Sequence, residues 1–187
     1  DLSPELAGQA SYEQGQDYLK AGLLDRAEET FNALAGTPYA AQASRALLEI
    51  YQREKEWKRA IDAAQALQAS GAGAYQKEIA QFHCELAQDE LVHAGPDAAL
   101  ATLEKALQFD RNNVRATILS GDALLAKGDI EGALRTWRRV EQQSAPHVAL
   151  VAPRLMKGYK DVGRAREGVN LLQGYLAEAP AIDLLEV

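Results

Sequence analysis

A small residue recurs along the chain with spacings of 33, 39, 34 and 35 residues, at Ala27, Ala60, Ala99, Ala133 and Gly168. An apolar residue follows four residues after it in most cases, and the position twelve residues before it holds Gly15, Leu48, Ala87, Gly121 and Met156. Gly22, Gly128 and Gly163, each five residues before the small residue, predict the turn that ends a first helix. Self-similarity at one period predicts a stack of equivalent units, which restricts the fold more than composition does.

Each unit is predicted to be two short helices that meet around a tight turn. We expect Gly15 and Ala27 to face each other where the two helices cross, and Tyr18 and Phe31 to fill the space between one hairpin and the next. Ala and Leu are plentiful while Val, Ile and Thr are scarce, which favours helix over sheet. A period near 34 residues with this pattern resembles the tetratricopeptide repeat. The predicted fold is therefore all-α, a right-handed α-solenoid of about five tetratricopeptide-type helix pairs.

The repeat boundaries follow from Pro and from capping residues. Helix starts are expected at Ser3-Pro4, Thr37-Pro38, Gly95-Pro96, Asn112-Asn113 and Ala145-Pro146. Pro153 falls inside the first helix of the fifth unit and should kink that helix or mark its true start. We predict a single domain over residues 1–187, with repeats at 4–35, 38–70, 75–108, 113–142 and 146–178, and with 181–187 beginning a truncated repeat.

Charge and motifs indicate a binding protein rather than an enzyme. The net charge of −7 comes without a long basic run, so the electrostatic footprint of a nucleic-acid binder is missing. No Gly-rich phosphate loop and no GxSxG motif occurs, and the three histidines are far apart in sequence. Cys84, the single cysteine, is predicted to be a small buried apolar residue. We therefore expect no catalytic residue, no metal site and no cofactor in this chain, and no apolar run approaches the roughly 20 residues of a membrane span.

The first helices of such units line a groove whose side chains contact a partner. The groove positions in this sequence hold Tyr12, Gln16, Lys20, Arg45, Glu49, Gln52, Arg53, Gln88, Arg115, Asp122, Lys157 and Lys160. Together with the groove positions Leu91, Val92, Ile118 and Leu125, these residues form a groove that is rich in amides, with cations at both ends and an apolar middle. Such a groove suits an extended or helical peptide more than a small metabolite. The alternative at each position is a solvated polar side chain. Self-association through an end of the stack or through the groove, giving a homo-oligomer, is a further expectation.

Several stretches are more specific than the repeat consensus: "LKAGLLDRAEETFNAL", "LLEIYQREKEWKRAIDAAQAL", "KEIAQFHCELA", "DRNNVRA" and "LLAKGDIEGALRTWRRV". Together they resemble the lipopolysaccharide assembly protein B family of Gram-negative bacteria, over residues 11–178. The residues that best separate this family from generic tetratricopeptide repeats are Phe82, Cys84, Glu85 and Leu86, because the repeat consensus does not require them.

The resemblance implies a function and a location. Members of that family have an N-terminal membrane anchor, a cytoplasmic tetratricopeptide region and a C-terminal zinc ribbon with two CxxC pairs. They are adaptors that restrain lipopolysaccharide synthesis by helping a membrane-bound AAA+ protease degrade the deacetylase that commits precursor to lipid A. The expected partners are thus this protease and this deacetylase, at the cytoplasmic face of the inner membrane, with the present chain as a soluble central repeat region and zinc bound elsewhere.

Two other functions remain open at this point. The chain could be a generic tetratricopeptide scaffold in another bacterial assembly, such as a secretion or pilus complex. It could also be the regulatory repeat arm of a glycosyltransferase, since similar repeats precede catalytic domains in sugar-nucleotide transferases. The sequence on both sides would separate the three: a lipobox cysteine, a long α/β domain, or a short tail with CxxC pairs.

Overall fold

A computed structural model describes residues 3–178, which are almost entirely helical and contain no strand. The helices are α1 Pro4–Lys20, α2 Leu24–Asn32, α3 Ala40–Arg53, α4 Trp57–Ala69, α5 Gln76–His93, α6 Pro96–Phe109, α7 Val114–Ala126, α8 Ile130–Gln143, α9 Val148–Asp161 and α10 Ala165–Glu178. We call the first helix of each pair (α1, α3, α5, α7, α9) an A helix and the second (α2, α4, α6, α8, α10) a B helix. The segment 181–187, predicted to begin a truncated repeat, lies outside the described residues. None of the helices within 3–178 is long and apolar enough to cross a membrane.

Two of the predicted helix starts are confirmed by side-chain caps, and a third is confirmed by α6, which begins at Pro96. Ser3 Oγ accepts from the Leu6 backbone N–H at 3.3 Å, and Asn113 Oδ1 accepts from that of Ala116 at 2.9 Å. The start at Thr37-Pro38 is wrong, because α3 begins at Ala40. The Thr37 hydroxyl donates to the Leu34 carbonyl at 2.7 Å, so Thr-Pro closes a turn before the helix begins.

Pro153 lies inside α9 and does not mark its start. The Ala145-Pro146 step begins a 3-10 helix, Ala145–His147, and α9 follows from Val148. The missing N–H of Pro153 removes one helical hydrogen bond. Its side chain points to solvent, while Val151, Ala152 and Leu155 of the same helix are buried.

Contacts between Cα atoms divide the chain into two compact units, Asp1–Phe82 (unit 1) and His83–Val187 (unit 2). In unit 1, α1 packs on α2, α2 on α3 and α3 on α4. In unit 2, α6, α7, α8, α9 and α10 likewise pack each on the next. The boundary falls within α5. A single domain over the whole chain stays a prediction.

The helix crossing inside a pair differs from the predicted one. A Cβ added to Gly15 would lie 2.6 Å from a ring carbon of Phe31, so the Phe31 ring, rather than Ala27, occupies the space over Gly15. Phe31 therefore packs within its own helix pair. The same arrangement recurs in unit 2, where Trp137 covers Gly121 and donates its indole N–H to the Ile118 carbonyl at 3.2 Å. A glycine is required here because an aromatic ring takes the place of its side chain.

In the second helix pair, the larger side chain is on the A helix and the smaller one is on the B helix. The corresponding positions hold Leu48 on the A helix and Ala64 on the B helix, and both are buried. Its turn also differs, because Lys55 has a φ of 57° where the other pairs place Gly22 (75°) and Gly128 (87°). The turn therefore fixes a left-handed conformation, and lysine adopts it against its own preference.

Candidate protein-binding faces on the A helices

Seven predicted site residues lie in unit 1, and the one aromatic residue among them, Tyr12, is half-buried. Its ring centroid is 5.8 Å from that of Phe31 and 5.9 Å from that of Tyr39. Gln16 Nε2 donates to the Tyr12 hydroxyl at 3.1 Å. Tyr12 and Gln16 thus form part of the packing between α1, α2 and the segment before α3.

The charged candidates of unit 1 have mostly local partners. Arg53 Nη2 lies 2.5 Å from Glu49 Oε1, one helical turn away on α3, and Lys20 lies 4.0 Å from Asp17 on α1. Arg45 Nη2 donates to the Ala72 carbonyl at 2.8 Å and so ties α3 to the loop after α4. Gln52 is exposed on α3. Arg45 therefore has a structural role that the sequence prediction did not foresee.

In unit 2, Arg115 joins two A helices. From α7 its Nη1 donates to Glu85 Oε1 at 2.5 Å and its Nη2 donates to Gln88 Oε1 at 2.9 Å, both on α5. The hydrogen bond to Glu85 raises the pKa of Arg115, which keeps the guanidinium charged. Two predicted site residues, Gln88 and Arg115, are thus brought together.

Asp122 makes the equivalent link from α7 to α9. Arg154 donates to both carboxylate oxygens of Asp122, at 2.8 and 3.1 Å. Arg154 also donates to the Leu150 carbonyl at 2.9 Å, which places its side chain along α9. A bidentate pair of this kind fixes both position and orientation.

These links define one surface, which we call the A-helix face of unit 2. It comprises Glu85, Gln88 and Val92 on α5, Arg115 and Asp122 on α7, and Leu150, Arg154 and Lys157 on α9; spacings of three, four and seven residues place the members of each helix on one side. Val92 is 75% exposed and Leu150 is 52% exposed. Lys157 is exposed and makes no ion pair within residues 3–178, and the same holds for Lys160 nearby on α9. The face combines fixed charges, an available cation and two exposed apolar side chains, which suits a peptide that carries apolar and acidic residues.

The sequence prediction missed Glu85, Leu150 and Arg154 as members of this face. A usable signal was present, since Glu85 and Arg115 are 30 residues apart and Asp122 and Arg154 are 32 apart. Three further ion pairs have nearly the same separation: Glu28 pairs with Arg59, Asp97 with Lys127 and Glu131 with Arg164, at 31, 30 and 33 residues. Opposite charges about one repeat apart in the sequence therefore indicate contacts between consecutive helix pairs.

Cys84 and its neighbour His83 both lie in the core. Cys84 is fully buried, as predicted, and burial raises the pKa of its thiol to about 12. His83 is also buried, stacked on Phe109 with ring centroids 5.8 Å apart, and its Nδ1 has no hydrogen-bond partner. Burial and nearby Lys105 lower the pKa of His83, so its imidazole is neutral at pH 7. Within the described part of the chain no three His, Cys, Asp or Glu side chains converge as metal ligands.

Comparisons with solved structures agree with the helix-pair architecture. The model of the tetratricopeptide repeat family matches residues 96–152. The chain is similar to the crystal structure of YrrB, a TPR protein described as having an unusual peptide-binding site, with 19% identity and a TM-score of 0.55 over 93% of this chain and 87% of that one. It is also similar to MamA, with 15% identity and a TM-score of 0.58 over 91% and 90% of the two chains. At these identities the likeness shows the fold alone, and it confirms an α-solenoid of tetratricopeptide-type helix pairs.

The sequence relatives are more specific. Lipopolysaccharide assembly protein B of Escherichia coli K12 is 36% identical over 170 residues, which are 90% of this chain and 44% of that protein. The protein of the same name from Haemophilus influenzae is 28% identical over 172 residues, 88% of this chain and 42% of that protein. The chain thus spans less than half the length of the curated relatives it matches. Over nearly all of its own length, the chain is similar in sequence to lipopolysaccharide assembly protein B, the resemblance that its sequence motifs predicted.

Proposed function

We propose that this chain is a protein-binding adaptor module that acts in lipopolysaccharide assembly. The observation that carries the proposal is 36% identity to lipopolysaccharide assembly protein B over 90% of the chain. The fold supports it, because stacked helix pairs present extended surfaces that bind other proteins. In this proposal the chain is a scaffold without a catalytic step.

The finer proposal concerns the partners. We infer that the module helps a membrane AAA+ protease degrade the deacetylase that commits precursor to lipid A, at the cytoplasmic face of the inner membrane. The chain itself would bind no cofactor, and the zinc ribbon expected of the family would belong to another part of the protein. Family resemblance supports these partners; the residues that would contact them are argued from the structure.

We place the binding surface on the A-helix face of unit 2. Leu150 and Val92 offer apolar area that the fold leaves exposed. The Glu85–Arg115 and Asp122–Arg154 pairs hold the surrounding charges in place before a partner arrives. A surface ordered in advance loses less conformational entropy on binding. The peptide-binding site described for YrrB is a precedent for peptide recognition by the same fold.

The test is an isothermal titration of the chain with the purified deacetylase, and separately with the soluble part of the protease, from the same bacterium. The variant Leu150→Asp/Lys157→Glu places two negative charges on the A-helix face. We expect it to weaken binding by at least about tenfold, because a buried apolar contact is lost and an attractive charge becomes repulsive. Circular dichroism should show an unchanged helical content, since both side chains are exposed.

The matched control is Arg166→Glu/Val169→Asp, which makes equivalent changes on the B helix α10, where Val169 is 40% exposed. It should bind as the unmodified chain does. Equal weakening by both variants would remove the assignment to the A-helix face. Absence of binding to either protein by the unmodified chain would contradict the proposed partners.

A further inference from the structure

The B helix α8 carries three arginines on its exposed side. Leu134, Trp137 and Val140 are buried, whereas Arg135, Arg138 and Arg139 point away from the core. The three arginines line a shallow cavity of about 200 Å³ together with Glu141 and Gln142. We call Arg135, Arg138 and Arg139 the arginine face.

Within residues 3–178, little negative charge balances this face. Arg59, Arg115, Arg154 and Arg164 each lie within 3.0 Å of a carboxylate, whereas Arg135 and Arg139 make no ion pair within residues 3–178. Glu141, the one acid in the cavity lining, accepts a hydrogen bond from the Tyr175 hydroxyl at 3.1 Å.

The spacing of the arginines is unfavourable for the isolated helix. Residues three and four apart on a helix are neighbours, so Arg135 repels both Arg138 and Arg139. The chain has a net charge of −7, yet it concentrates positive charge here. A ligand that brings carboxylates to this side of α8 would relieve the repulsion.

We propose that the arginine face binds an acidic segment of a protein partner, as a second docking surface separate from the A-helix face. A guanidinium group pairs with a carboxylate through two parallel hydrogen bonds, which lysine cannot do. The arginines extend over about one helical turn, roughly 6 Å, which matches carboxylates spaced three or four residues apart on a partner helix. The charge and spacing of the arginines therefore favour an acidic helical segment as the partner. The proposal does not depend on which protein binds the A-helix face.

The test uses a fluorescein-labelled helical peptide of alanine with glutamates at positions i, i+3, i+4 and i+7, titrated with the chain at low ionic strength. The same peptide with glutamines is the ligand control. The variant is Arg135→Gln/Arg138→Gln/Arg139→Gln, and the matched variant is Lys58→Gln/Lys77→Gln/Lys105→Gln, which removes the same net charge from exposed positions elsewhere. Vesicles of phosphatidylglycerol and phosphatidylcholine serve as a separate probe.

We expect the glutamate peptide to bind, the glutamine peptide not to bind, and the arginine variant to lose about tenfold in affinity while the lysine variant changes much less. Equal losses in both variants would mean that net charge alone attracts the peptide and would overturn the proposal. Absence of peptide binding would overturn the proposal as well. If the chain bound only the vesicles, and the arginine variant lost that binding, the arginine face would bind a lipid surface instead.

Discussion

The A helices of the two units carry similar side chains but connect them differently. In unit 1, Arg53 pairs with Glu49 on the same helix, four residues away. In unit 2, Arg154 pairs with Asp122 on the preceding A helix, 32 residues away. A local pair orders one side chain, whereas a pair between consecutive helices also fixes their relative position. The repeat can thus present independent side chains or a surface ordered in advance, and we assign binding to unit 2 because its surface is of the second kind.

The helix crossings show a second contrast, this one between individual helix pairs. Unit 2 places Gly121 under Trp137, while the corresponding positions in the second pair of unit 1 hold Leu48 and Ala64, both buried. Positions 16 residues apart therefore share one volume, and either helix can supply the larger side chain. The size of the side chain at one position is therefore limited only by the size of the side chain at the other.

The largest expected effect comes from giving unit 2 the leucine that unit 1 carries. A Cβ at Gly121 would overlap the Trp137 ring, so Gly121→Leu should lower the free energy of unfolding by roughly 1–3 kcal/mol. A melt followed by circular dichroism should show this as a fall of several degrees in Tm. The control is Gly174→Leu, at a position where an added Cβ meets nothing within 4 Å. An unchanged Tm for Gly121→Leu would contradict the shared-volume account.

The next effect concerns the turn inside a helix pair, which holds Lys55 in the second pair and glycine in others. Lys55 has a φ of 57°, where glycine would be unstrained, so Lys55→Gly should raise the free energy of unfolding by about 0.5–1 kcal/mol. Gly128→Ala, at a φ of 87° in unit 2, should lower it by a similar amount. Urea titrations of the two variants provide the measurement. A loss of stability in Lys55→Gly would show that the lysine side chain makes a contact that outweighs the strain.

Removal of an ion pair should change the free energy of unfolding by less than these substitutions do. Arg154→Met removes a bidentate pair between helices and leaves Asp122, with a side chain only 24% exposed, without its partner. We expect a loss of about 0.5–1 kcal/mol, against at most about 0.5 kcal/mol for Arg53→Met in unit 1. The two variants are compared by urea unfolding at low and at high salt. Equal losses would remove the distinction between local pairs and pairs between helices.

The smallest expected effect is a dependence of stability on pH that comes from His83, which lies in unit 2. Burial lowers the pKa of His83 below 6.5, so below pH 6.5 the unfolded chain binds a proton that the folded chain does not. The contribution of this group to stability is present above pH 6.5 and falls as the pH falls. Urea midpoints at pH 7.5 and 5.5, read from Trp137 fluorescence in a Trp57→Phe background, should differ less in His83→Gln. An equal difference with and without His83 would assign the pH dependence to other groups.

Much of the fold followed from local sequence signals, because the repeat period, the turn glycines and the capping residues each have a local physical cause. Lys55 shows the limit of this, since no local preference predicts a left-handed lysine and only the neighbouring helix pairs impose it. The candidate site was less predictable. Arg45 occupies a groove position by period, yet its hydrogen bond to the Ala72 carbonyl depends on the path of a loop 27 residues later. Leu150 was missed because an exposed leucine on an A helix cannot be told from a core leucine by spacing alone.

The most direct test of the central claim, that a protein partner binds the A-helix face of unit 2, is a pair of fluorescent probes. Cys84 is fully buried and burial raises the pKa of its thiol to about 12, so it should stay unlabelled. A polarity-sensitive dye is attached in turn to Leu150→Cys on α9 and Val169→Cys on α10, which replace side chains that are 52% and 40% exposed. On addition of the purified deacetylase, we predict a blue shift for the dye at position 150 and none at position 169. A shift at position 169 alone, or at neither position under conditions where the titration shows binding, would contradict the account.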